Sequence, residues 1–76
     1  MNKSRRKYIE QLISSVEAIR DGIEKCKMEE EAACDNLPES LQCSDSGCRM
    51  QDTINSLEDA ISQSEELIDT LAQAIE

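Results

Sequence analysis

Histidine, tryptophan and phenylalanine are absent from this 76-residue chain, and tyrosine and proline occur once each. Without histidine there is no base to activate Ser14, Ser15, Ser56 or Ser62, which excludes a Ser-His-Asp hydrolytic triad. With aromatics at 1 %, any core must be aliphatic. Two glycines cannot build a glycine-rich phosphate loop. No apolar run approaches the ~18 residues of a membrane span. The stretch after the basic N-terminus is amphipathic, which argues against a secretory signal and makes the cytoplasm the expected location.

Cysteine is the exception to this scarcity. Four thiols stand at Cys26, Cys34, Cys43 and Cys48, separated by eight, nine and five residues. Structural zinc sites use tight knuckles such as CxxC, commonly with histidine, and neither is present. No metal or other cofactor is expected. Cys34 and Cys48 flank the central turn, so a disulfide between them is geometrically sensible, but it needs an oxidising compartment. Reduced thiols are the favoured expectation, with Cys26 acting as a small hydrophobe.

Charge is plentiful and uneven. The net charge is −9, from 17 acids and 8 basic residues. Four of those eight, Lys3, Arg5, Arg6 and Lys7, sit together before Tyr8. The acidic body disfavours direct contact with a nucleic-acid backbone, and most of its charge reads as a solvated surface. The basic cluster is expected to pair with Asp69 and Glu76 at the other end of the chain, offsetting its unfavourable placement at a helix N-terminus.

What organises the chain is a pair of heptad seams. One runs Ile9, Leu12, Val16, Ile19, Ile23, Cys26, Glu30, Ala33. The other runs Met50, Ile54, Leu57, Ile61, Ser64, Ile68, Leu71, Ile75. Steps of three and four are the a/d stripe of a helix that packs on another helix. Between the seams lies DNLPESLQCSDSG, with the lone Pro38. The spacing predicts an all-α, antiparallel two-helix hairpin forming one domain over 1–76. Its helices are expected at about 3–34 and 47–75, joined by a turn at about 35–46. Asn2 or Ser4 is the expected first cap and Ser44 the second. Leu37 and Leu41 are available to plug the tip.

Aligning the seams puts Leu12 with Leu71, Val16 with Ile68, Ile19 with Ser64, Ile23 with Ile61 and Cys26 with Leu57. Glu30 falls opposite Ile54. One flank then carries opposite charges, Arg20 beside Glu65 and Lys27 beside Glu58. The other is small and apolar over much of its length, with Tyr8, Ser15, Gly22 and Glu29 on the first helix and Thr53, Ala60, Leu67 and Ala74 on the second. Tyr8, Gly22, Ala60, Leu67 and Ala74 are the candidate partner-contact residues. Gly22, opposite Ala60, would let a partner helix come close. A chain this small buries little alone, so a homodimeric four-helix bundle is the expected assembly.

The chemistry-bearing residues form no catalytic set. Glu29, Glu30 and Glu31, and the pair Glu65 and Glu66, could do acid–base work only in a pocket, which a slim hairpin lacks.

The segment Asp35 to Gln42, DNLPESLQ, followed by Ser44, Gly47, Met50, Ile54, Leu57, Glu58, Ala60 and Ile61, is similar to a set of short acidic coiled-coil proteins. These occur in phages and other mobile elements of Gram-positive gut bacteria. The resemblance covers the turn and the first half of the second helix. The family pattern favours an aromatic at position 34 and an acid at position 48, where this chain has Cys34 and Cys48. The resemblance implies a small accessory protein and brings no catalytic residues to carry over.

A non-enzymatic interaction or structural module is therefore expected, with no small-molecule substrate, nucleic acid or membrane as direct partner. Two alternatives stand beside it. One is an acidic inhibitor, an anti-defence protein or nucleic-acid mimic, seated in a basic groove. The other is a redox or metal switch at Cys34, Cys43 and Cys48.

Overall fold

The computed structural model describes residues 2–42 and 45–76. Three helices follow in order: α1 over Lys3–Asp35, α2 over Glu39–Gln42 and α3 over Asp45–Ala74. The long helices α1 and α3 pack side by side as an antiparallel hairpin, and the short α2 sits at its tip against α3. The Cα envelope is a rod of 59 × 14 × 12 Å. Its radius of gyration is 17.3 Å, against ~11 Å for a compact chain of this length.

Local chemistry sets the ends. Asn2 adopts an extended backbone, and its side-chain Oδ1 accepts from the Arg5 N–H at 2.7 Å. It therefore satisfies one of the orphan donors of the first turn. At the far end of α1 the Asn36 N–H reaches the Ala32 carbonyl at 3.1 Å, and the Leu37 N–H reaches that of Cys34. Pro38 has no N–H to continue the ladder and starts a new turn, in which the Leu41 N–H donates to the Pro38 carbonyl at 2.8 Å. Leu37 tucks in while Leu41 stays 46 % exposed, so only the first of the two plugs the tip. The expected cap Ser44 lies outside the described residues; Asp45 opens α3 and supplies an acid to its first turn.

The α3 seam is the expected one. Met50, Ile54, Leu57, Ile61, Ser64, Ile68, Leu71 and Ile75 are all buried or half-buried. Ile54, at 5 % exposure, is the most secluded apolar side chain among the described residues. Ser64, at 9 %, sits in the same row because its hydroxyl donates to the Ile61 carbonyl at 2.7 Å, which leaves no unmet polar group.

The α1 seam needs correction. Ile9, Val16, Ile23 and Glu30 do face α3, but the alternate row is not Leu12, Ile19, Cys26 and Ala33, all of which are exposed. It is Ile13, Arg20, Lys27 and Cys34, each half-buried. The helix is turned by about 50° from the expected orientation, one row of the heptad wheel. Two of the incoming residues are cations. Their aliphatic stems cover the seam while their charged ends reach outward.

A second correction concerns the N-terminus. Lys27 and Glu58 are level across the hairpin, since their charged groups meet at 3.3 Å. Counting outward from them places Glu76 beside Ile9. Lys3, Arg5, Arg6 and Lys7 therefore lie beyond the level of Glu76 and of Ala74, where α3 ends. Among the described residues they form no ion pair with Asp69 or Glu76.

Candidate protein-interaction face

The rotation of α1 divides the rod into two unlike sides. On one, Lys27 stands between two acids, its Nζ 3.3 Å from Glu58 Oε1 and 3.8 Å from Glu31 Oε1. Arg20 lies on the same row, but it turns to its neighbour Asp21 at 3.3 Å rather than to Glu65. Outside these cations runs a heptad row of acids, Glu10, Glu17, Glu24 and Glu31.

The opposite side carries no charge over most of its length. Between Tyr8 and Cys26 the α1 positions there are Tyr8, Leu12, Ser15, Ile19, Gly22 and Cys26. The facing edge of α3 offers Thr53, Ala60, Leu67 and Ala74. On α1 the strip ends where charge returns to its rows, at Arg5 on one side and Glu29 on the other. Exposure is substantial: Tyr8 61 %, Ile19 59 %, Leu67 47 % and Leu12 38 %. Ala60 is half-buried at the inner edge and Ala74 is exposed.

Three hydroxyls on or beside this side are turned inward. Ser15 Oγ donates to the Gln11 carbonyl at 3.1 Å, Thr53 Oγ1 to that of Arg49 at 3.0 Å, and Thr70 Oγ1 to that of Glu66 at 2.9 Å. Each bonds to its own helix one turn back. What they present outward is carbon. Burying such groups against a partner avoids most of the desolvation penalty of a free hydroxyl.

All five predicted contact residues fall on this side. Sequence reasoning missed its strongest members, Leu12 and Ile19, because it had assigned them to the seam. Gly22 is not in contact with Ala60: a methyl group added there would meet nothing within 4 Å.

The turn end is different. A shallow recess of about 150 Å³ is lined by Glu31, Cys34, Asp35, Gln51, Ile54 and Glu58. Cys26, Cys34 and Cys48 carry free thiols, with Cys34 half-buried and the other two exposed. Cys48 lies on a row of α3 that faces away from α1, so it does not meet Cys34. Cys43 lies outside the described residues. Among the described residues no group of three or more Cys, Asp or Glu could hold a metal ion. No described helix is long and apolar enough to cross a membrane.

No family model, no curated protein and no solved structure matches the chain.

Proposed function

We propose that this chain is a non-enzymatic protein-interaction module that binds through the uncharged side of its hairpin. The observation that carries this reading is the exposure of Leu12, Ile19 and Leu67 on one continuous, charge-free strip. A heptad row that is not spent on the chain's own seam is available for another helix. Exposed apolar strips rimmed by polar residues are a common mark of association surfaces. The resemblance of the turn to mobile-element coiled-coil proteins accords with a small accessory role.

The test compares the protein with a triple variant, Leu12→Lys, Ile19→Lys and Leu67→Lys. Native mass is measured for both, purified and in an extract of the source cells. The proposal expects the unaltered protein to run above its 8.5 kDa chain mass in at least one setting. The variant should return to that mass with its helicity kept. An unaltered protein that is monomeric in both settings would rule the reading out.

A second reading draws on the other side. The row Glu10, Glu17, Glu24 and Glu31 is more ordered than a scattered acidic surface, which favours an acidic inhibitor of a basic groove. That reading requires binding that weakens steeply with salt and survives the triple lysine variant.

A further inference from the structure

We infer that the occupant of the uncharged strip is a second copy of this chain. The two hairpins would stack antiparallel, α1 on α1 and α3 on α3, with Leu67 at the two-fold axis. The inference rests on the proposed reading of the strip as a docking surface and names its partner.

The size pattern of α1 carries the argument. Laid antiparallel on a copy of itself about residue 17, the strip brings Tyr8 to Cys26, Leu12 to Gly22 and Ile19 to Ser15. A large side chain meets a small one every time, which is what an isologous contact needs in order to interdigitate. The empty space at Gly22 is then the seat of the partner copy's Leu12.

The second helix accommodates the same axis. Lys27 is level with Glu58, and ten residues away along each helix, residue 17 is level with residue 68. That is one position from Leu67, on the row Thr53, Ala60, Leu67, Ala74, whose member Thr53 has no counterpart across this axis. About that point Ala60 faces Ala74 and Leu67 faces Leu67. One two-fold therefore serves both helices.

Area and charge agree. The chain exposes 5673 Å², whereas a compact protein of its mass exposes ~4,700 Å². The difference, about 1,000 Å², is the excess of a rod over a compact shape and leaves room for the ~800 Å² that each partner commonly loses in a stable interface. Two chains of net charge −9 repel, and the uncharged strip is a face on which they can meet with little direct opposition of charge. At the rim the stacking sets Asp21 near Ser14 and Lys25 near Gln11, and Glu66 near Glu66 of the copy beside the axis, an exposed pair that solvent and salt screen.

The test uses the full chain with Cys26, Cys34, Cys43 and Cys48 each changed to serine. Leu67→Cys is added in one version and Asp59→Cys, on the outer face of α3, in another. Mass is followed by light scattering over a concentration series, and cross-linking under mild oxidation. A mass twice that of the chain, with rapid covalent dimer from Leu67→Cys and little from Asp59→Cys, is the expected result. Leu12→Glu should raise the dissociation constant ~30-fold or more. A monomer throughout would overturn the second copy while leaving the strip open to another partner, which the extract experiment decides. A dimer that cross-links equally from Asp59→Cys, or that ignores Leu12→Glu, would overturn this inference together with the use of the strip.

Discussion

Lys27 and Glu58 join the two long helices through an ion pair of 3.3 Å, on the side away from the uncharged strip. Glu31 shares the same ammonium at 3.8 Å. The three residues mark the level at which the helices meet and which side of the rod is charged. The Lys27 side chain is 27 % exposed and that of Glu58 53 %, so solvent screens much of the attraction. A double-mutant cycle with Lys27→Ala and Glu58→Ala should give a coupling of about 0.2–1 kcal/mol that shrinks in high salt. A coupling near zero in low salt would contradict the geometry.

The rotation of α1 can be read from stability. At concentrations low enough to hold the chain monomeric, Ile13→Ala should destabilise more than Leu12→Ala, since only Ile13 is turned toward α3. Ile54→Ala, at the most secluded position, should lose about 2–4 kcal/mol. Denaturant titration of the three variants checks the order. Equal losses for Leu12 and Ile13 would restore the seam expected from periodicity.

Gly22→Ala separates folding from association. The added methyl enters open space, and alanine favours a helix over glycine by ~1 kcal/mol. The monomer should gain up to that amount in helical stability, while a dimer seated on Gly22 should weaken. Melting temperature at low concentration and mass at high concentration would move in opposite directions. If both rise together, no side chain docks at Gly22.

Asn2 caps a part of α1 that overhangs α3. Asn2→Ala should remove ~1 kcal/mol from the first turn. Because those turns pack against nothing on α3, the loss should appear as faster amide exchange at Arg5 and Arg6 with little change in global melting. A large fall in melting temperature would mean the overhang is tied down.

Much of this architecture was legible in the sequence. The hairpin, the α3 seam and the Lys27–Glu58 pairing follow from heptad spacing and a single proline. The face of α1 does not, for a physical reason. Its row Leu12, Ile19, Cys26 is more apolar than its row Ile13, Arg20, Lys27, so a hydrophobic count selects the first. The structure selects the second because long cationic stems can cover apolar surface while their charges reach acids on either helix. Having three usable rows, α1 can satisfy α3 and still hold one in reserve. Cys48 falls inside the helix expected at about 47–75, and its spacing, two residues before Met50 and six before Ile54, already sets it off the seam rows.

The hairpin form also bears on the order in which the molecule assembles. The rungs nearest Pro38 close the shortest stretch of chain, and those at Ile9 and Ile75 the longest. Closing a loop twice as long costs only ~0.6 kcal/mol more if done at once. When neighbouring rungs are already shut, each new one closes almost no additional loop. A rod with one secluded isoleucine near its tip is thus built to zip from the bend outward and to fray from the open end inward. Chain ends and turn would then occupy opposite extremes of a single gradient of protection.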